Sequence, residues 1–236
     1  MSTTPGRTRS TAAGWLLLLA AIAYTGVPWE ALVGFPLDPA QAFQSELAAV
    51  DQPTRLLFAL TDGIAGVLAV VAAVLLWWGR RGSRTRLERL VPIPIALFGI
   101  GTVADVLSPL PCAPSVDAGC AEADGLASAG TAHSITSLIA TTALILLALV
   151  IVGLLIGTRR RPGRVAPGWW IAPVLYALTS LGSAAWSVAD NLGADTWGAG
   201  WWQRAQTVSA SLCLAVVVPV LLRHRRSARI LGDTGD

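Results

Sequence analysis

Five ionisable side chains stand within or at the ends of long apolar runs of the sequence. They are Asp62, Asp105, His133, Asp190 and Arg204. A charged group at the centre of a membrane-spanning helix costs about 2.5–3.5 kcal/mol on insertion scales, so such groups usually face a cavity or pair with one another. A histidine beside a carboxylate is also a common arrangement for general acid–base chemistry. These residues are therefore the first candidates for a functional site.

Helical spacing adds further polar residues to the faces that carry three of these groups. The stripes are Gly101, Asp105 and Ser108; Ser180, Ser183, Ser187 and Asp190; and Arg204, Thr207 and Ser211. Residues three, four or seven positions apart share one face of a helix. This predicts an outward-facing polar cavity. Its predicted lining is Asp62, Asp105, His133, Ser187, Asp190 and Arg204, with Glu46 above it.

The elements that must position these residues are membrane-spanning helices. Of the 236 residues 54% are hydrophobic and only 13% are charged. Apolar runs of about 20 residues match the hydrocarbon core of a bilayer, and they lack the alternation of a β-barrel. The predicted fold is an all-α bundle of six transmembrane helices, residues 13–222, between tails 1–12 and 223–236. The predicted spans lie near residues 13–34, 56–78, 91–110, 133–157, 169–190 and 200–222.

Arginine is distributed unevenly between the connections, and the chain contains no lysine. Fifteen arginines fall before the first span, between spans two and three, between spans four and five, or after the sixth. Only Arg55 and Arg204 fall on the other side. The positive-inside rule therefore predicts a cell-membrane protein with both termini in the cytoplasm. The arginines are explained by their role in membrane topology and by contact with anionic lipid headgroups, so no nucleic-acid partner is expected. The first span is expected to be retained rather than cleaved as a signal peptide.

Two short motifs lie in the connections that this topology places outside. Cys112 and Cys120 are eight residues apart in a Pro/Gly-containing loop, which favours a disulfide over a metal site or free thiols. Ser45 is interpreted as the cap of a short helix with Glu46 at its positive end, whereas Glu46 could also close the cavity from above. The two interpretations are compatible. No metal site is predicted, since one histidine is too few donors, and no cofactor can be assigned.

The polar residues of the spans have two competing interpretations. In the first they hold the helices together, with Asp105 or Asp190 paired to Arg204 and the serines bonded to neighbouring helices. In the second, His133 with Asp62 and Asp105 forms a binding or catalytic site that faces outward, either an acid–base pair or a metal site, although a single histidine is weak support for a metal.

The chain also resembles a known family at Ser45-Glu46-Leu47, at Pro111-Cys112 after the third span, and at His133 opening the fourth. The family consists of bacterial six-span membrane proteins and is known only as domain of unknown function 998. The resemblance covers roughly residues 15–222 and implies six helices and a role for Glu46 and His133. It assigns no activity.

Three functions remain open at this point. The first is a non-enzymatic membrane protein that binds or passes a small ligand or lipid in the cavity. The nearly uninterrupted apolar segment from Leu144 to Leu155 argues against an ion channel. The second is an intramembrane lipid-modifying hydrolase or transferase that uses His133 with Asp62 or Asp105. The third is a partner subunit of a membrane complex, suggested by the small residues Gly63, Gly66 and Ala69.

Overall fold

A computed structural model describes residues 5–79, 85–117, 119–120, 128–159, 167–192 and 198–233. In these ranges the chain forms helices and connecting loops, with no strand. The α-helices are α1 Pro5–Tyr24, α2 Val27–Leu32, α3 Arg55–Gly79, α4 Arg86–Leu90, α5 Pro92–Leu107, α6 Ser128–Arg159, α7 Ile171–Asn191 and α8 Ala199–Asp233. Two 3-10 helices cover Gln44–Ala48 and Pro167–Trp170. The all-α prediction is confirmed.

The long helices run alternately up and down and pack in a closed ring. Helix α1 contacts α3 and α8, α3 contacts α5, α5 contacts α6, and α6 contacts α8, while α7 packs on α6 and α8. One end of this bundle carries residues 33–54 and the Cys112–Cys120 loop, and we call it the disulfide end. The opposite end, where α3 ends and α5 begins, is called the arginine end.

The outer surface of the bundle is apolar. Leu138, Leu149 and Leu181 are each more than 60% exposed, although they lie in the middle parts of α6 and α7. Within the described residues, four helical segments are long and apolar enough to cross a membrane. They are Arg55–Gly79, Arg86–Leu107, Ala132–Thr158 and Ala199–Arg225. The chain is therefore a multi-pass membrane protein whose exposed apolar side chains face lipid.

The first predicted span differs from the structure. The sequence predicts one continuous span over residues 13–34, but α1 ends at Tyr24 and the chain turns at Gly26 before α2 begins. Gly26 has a φ of 66°, a left-handed conformation that glycine adopts without strain. The side chain of Gln44 also occupies the space that a Cβ atom would need there. Helix α2 is thereby separated from the membrane span and lies at the disulfide end.

Helices α3 and α5 approach each other through two glycines. A Cβ atom on Gly66 would lie 2.9 Å from the carbonyl oxygen of Gly99, and one on Gly99 would lie 2.5 Å from that of Gly66. Ala69 is also fully buried. Two of the three small residues that suggested an external partner are thus used inside the bundle.

This crossing gives a test with a matched control. We expect Gly66→Ala to lower the free energy of unfolding by about 1–3 kcal/mol, because the added methyl group meets backbone that cannot move cheaply. Gly63→Ala is the control, since a Cβ atom there meets nothing within 4 Å. Thermal unfolding of both variants in the same detergent measures the difference, and equal melting temperatures would contradict the close crossing.

Candidate functional site

A segment comprising residues 33–54, here called the cap segment, covers the disulfide end of the bundle. Thr207 donates a hydrogen bond of 2.7 Å to Oε1 of Gln44, and the backbone N–H of Gln44 donates to the side-chain oxygen of Gln203. The Gly198 amide donates to the carbonyl of Ala40 at 2.8 Å. These contacts attach the cap segment to α8. Its apolar side chains, Leu37, Ala42, Leu47 and Ala49, pack with Phe58, Leu110 and Ala113 in a small core.

A buried ion pair between Glu30 and Arg204 holds this end together. Arg204 Nε donates to Glu30 Oε2 at 2.7 Å, and Nη2 donates to Oε1 at 2.5 Å. The Glu30 side chain is 0% exposed and the Arg204 side chain is 2% exposed. Nη1 donates to the carbonyls of Pro39, Ala42 and Gly200 at 3.1, 2.7 and 3.1 Å. One guanidinium therefore connects α2, the cap segment and α8.

This pairing corrects two expectations from the sequence. Arg204 pairs with Glu30 rather than with Asp105 or Asp190, and it does not line the cavity. The reason is geometric. The turn at Gly26 directs α2 back over the bundle, which brings Glu30 to Arg204 across 174 positions of sequence. Because the charge of Arg204 is compensated by Glu30, it contributes little positive charge to the nearby cavity.

Glu46 connects the cap segment to the disulfide loop. Its Oε1 accepts a hydrogen bond from the Phe43 amide at 2.8 Å, and Oε2 accepts one from the Ser115 amide at 2.9 Å. Cys112 and Cys120 form a disulfide with Cα atoms 6.0 Å apart. Glu46 is buried and does not line the cavity. The expectation that Ser45 caps the short helix was wrong, since Phe43 occupies that position and Glu46 satisfies its amide.

Asp105 is the centre of a hydrogen-bonded cluster between α5 and α6. Its Oδ1 accepts from Thr136 Oγ1 at 2.6 Å and from Ser137 Oγ at 2.8 Å. His133 Nδ1 lies 3.3 Å from the same oxygen and 3.2 Å from the carbonyl oxygen of Ser108. These contacts fix the orientation of the imidazole ring, as hydrogen bonds from a histidine ring nitrogen to a carboxylate or a backbone carbonyl commonly do. The ring itself lines the cavity described next.

Two neighbouring cavities, here called the inner and outer chambers, share three lining residues. The inner chamber, of about 100 Å³, lies between the bundle helices and the cap segment, and the outer chamber, of about 450 Å³, lies beside α3 and α5. Ser45, Asp62 and Asp105 line both. Further polar residues of the inner chamber are Gln44, Thr102, Ser137, Thr141, Gln203, Gln206 and Thr207. The two carboxylates therefore stand in the wall between the chambers.

Several polar groups of the inner chamber have no partner in the described part of the chain. Nε2 of Gln44 and Oγ1 of Thr102 are buried without a hydrogen bond among those residues. Gln44 is 7% exposed and Thr102 is 4% exposed. The carboxylate of Asp62 likewise has no hydrogen-bond or ion-pair partner there. A buried polar group without a partner costs about 1–3 kcal/mol.

The structure thus separates the predicted site residues into two groups. Asp62, Asp105 and His133 all line the outer chamber. Arg204 and Glu46 stabilise the fold around it instead. Ser187 and Asp190 belong to α7, but their side chains lie outside the described residues. Among the described residues, no group of three or more His, Cys, Asp or Glu side chains is placed to hold a metal ion.

Two buried glutamates that hold helices together, Glu30 and Glu88, were not predicted from the sequence. Glu30 stands in an apolar run, and its charge alone was a signal for a buried partner. At the arginine end, His224 Nε2 lies 3.5 Å from Glu88 Oε1, and Arg225 Nε donates to Glu88 Oε2 at 3.3 Å. His224 Nδ1 also lies 3.3 Å from Thr158 Oγ1. This second buried cluster joins α4, α6 and α8.

The Glu30–Arg204 pair can be tested by removing one partner. We expect Arg204→Met to lower the free energy of unfolding by about 3–5 kcal/mol, because it leaves Glu30 buried and uncompensated. The double variant Glu30→Leu/Arg204→Met should recover part of this loss, since no uncompensated charge remains. Arg89→Met in α4, where the side chain is exposed, is the control. Equal unfolding free energies for Arg204→Met and Arg89→Met would contradict the pair.

Comparison with known proteins identifies a family. A model of the family described as "Protein of unknown function (DUF998)" matches residues 13–220. No curated protein and no solved structure matches the chain.

Proposed function

Since the chain belongs to the DUF998 family, whose function is unknown, we propose from the geometry that it binds a small polar ligand or a lipid headgroup in the two-chambered cavity. The observation that carries this proposal is the placement of Asp62 and Asp105 in the wall that both chambers share. A ligand that extends from one chamber to the other would contact both carboxylates. The outer chamber, at about 450 Å³, is in the range of small-molecule sites.

The cavity is better suited to binding than to ion passage. Leu144 lines the inner chamber, and Leu147, Ile151 and Leu154 continue the buried core toward the arginine end. A conducting pore would require polar groups or water along that path. The buried apolar core therefore supports a closed site that is reached from the disulfide end.

We further propose that the disulfide end faces out of the cell and that all six long helices cross the cell membrane. Fifteen of the 17 arginines belong to the termini and connections that the predicted topology places opposite the disulfide. A disulfide also persists best in an oxidising compartment. Helices α1 and α7 have 20 and 21 residues, enough to span about 30 Å at a rise of ~1.5 Å per residue. In this orientation the ligand enters from the outer leaflet or the outside medium.

A ligand-retention experiment tests the binding function. We expect the purified chain to carry a bound non-protein mass in native mass spectrometry, and Asp62→Asn and Asp105→Asn to lose most of it. Thr61→Val is the matched control, because Thr61 is adjacent in α3 but lines neither chamber. Its hydroxyl only donates to the Phe58 carbonyl. Equal retention in all four proteins, or none in the wild type, would contradict the proposal.

A second candidate function is an intramembrane lipid hydrolase or transferase. It is favoured by one observation, the 3.3 Å separation between His133 Nδ1 and Asp105 Oδ1 in a residue pair that lines the outer chamber. In such a reaction Asp105 would orient the ring, and Nε2 would accept a proton from water or a lipid hydroxyl while the oxygen of that group attacks the ester carbonyl. The protonated ring would then return the proton to the leaving alkoxide as the ester C–O bond breaks.

Turnover of a labelled phospholipid ester in nanodiscs tests the enzymatic candidate. We expect His133→Gln to reduce the rate about 10²–10⁴-fold if the histidine is the general base. His224→Gln, at the arginine end of the bundle, is the control and should leave the rate unchanged. Turnover that is absent in the wild type, or equal in both variants, would exclude this mechanism.

A further inference from the structure

The charges that line the two chambers are separated in space. Asp62 and Asp105 stand at the wall between the chambers, whereas Arg55 lines only the outer one. Arg55 opens α3 and is exposed, and it has no ion-pair partner among the described residues. Arg204 offers no free charge, because Glu30 compensates it. Arg55 thus stands on the exposed side of the outer chamber, here called its mouth, and the two carboxyl groups stand in the wall that both chambers share.

The spacing of these charges follows from the helix that carries two of them. Arg55 and Asp62 are seven residues apart in α3, two turns on the same face, with Cα atoms about 10 Å apart along the axis. Because the Arg55 side chain is long and flexible, its guanidinium can lie closer to the Asp62 carboxyl group than the two Cα atoms lie to each other. A ligand with a cation and an anion a few ångströms apart matches this arrangement.

The interior is suited to the cationic part of such a ligand. Asp62 has no partner among the described residues, and Oδ2 of Asp105 has none there either. Tyr24, Phe58 and Tyr176 also line the inner chamber. Aromatic rings and carboxylates together attract ammonium groups, including quaternary ones.

The outer chamber is suited to the rest of a lipid. Leu56, Val106 and Leu110 line it together with Arg55. Leu56 is 70% exposed on the surface of α3, so the apolar wall of the chamber continues onto the surface that faces lipid. An arginine at this level can bind a phosphate while an acyl chain stays in contact with the apolar wall.

Resting on the proposed function, we infer that the ligand carries an alkylammonium group next to a phosphate, as ethanolamine and choline phospholipids do. The ammonium group enters between Asp62 and Asp105, and the phosphate binds Arg55 at the mouth. The same headgroup chemistry occurs in free glycerophosphoamines, and the experiment separates these two sources.

Native mass spectrometry of the full chain with headgroup probes tests this inference. The probes are phosphatidylethanolamine, phosphatidylcholine and phosphatidylglycerol with identical acyl chains, offered at equal concentration. We expect the two ammonium lipids to bind about tenfold or more tightly than phosphatidylglycerol. Glycerophosphoethanolamine and glycerophosphocholine are then added as competitors. Displacement of the lipid at similar concentration identifies a free headgroup as the ligand, and its failure identifies the lipid.

Two variants locate the charges. Asp62→Asn should remove the preference for ammonium lipids, whereas Thr61→Val keeps it. Arg55→Gln should weaken all phosphate-bearing probes about tenfold while keeping the preference for ammonium, and Arg89→Gln at the arginine end should change neither. Folding of each variant is checked by its melting temperature, and Asp62→Glu, which keeps the charge, should retain the preference.

The outcomes separate this inference from the binding function itself. If phosphatidylglycerol binds as tightly as the ammonium lipids and Asp62→Asn weakens it, the cavity binds a ligand but the ammonium assignment is wrong. If no probe binds and the wild type retains no other mass, both fail. Preference for ammonium that survives Asp62→Asn would overturn the assigned position.

Discussion

The disulfide end of this protein depends on one buried ion pair. Glu30 and Arg204 are almost completely removed from solvent, and a lone charge in that position would be unstable. The bidentate contact compensates both charges, and the remaining guanidinium donors bind three backbone carbonyls. Two of these carbonyls belong to the cap segment. The pair therefore fixes the cap segment over the bundle, and the cavity exists because that segment is held there.

The two interpretations of the polar residues concern different residues, and the second of them, a binding or catalytic site, stays a proposal. Glu30, Arg204 and Glu46 hold elements together and leave no charge exposed in the cavity. Asp62 and Asp105 lie in the wall between two chambers, and Asp62 has no partner in the described part of the chain. Only the second group has the free hydrogen-bonding capacity that ligand binding requires.

Local signals in the sequence predicted the helices well, because apolar runs and membrane thickness determine them. They also identified Asp62, Asp105 and His133, since an ionisable group in an apolar run is conspicuous. The partner of Arg204 was not predictable in this way. It depends on the turn at Gly26, which places α2 over α8, and no periodicity within a helix encodes that contact. Gln44, Gln203 and Gln206 were missed for a related reason, since their importance arises only where the cap segment meets α8.

The measurement that tests the central claim most directly is an experimental structure of the full chain in a lipid nanodisc. Two features decide the outcome, the Glu30–Arg204 distance and any density between Asp62 and Asp105. We expect direct contact between Glu30 and Arg204, with non-protein density in the chamber wall beside the two aspartates. Arg204 paired with an aspartate, or a collapsed cavity in which Asp62 bonds to protein donors, would contradict it.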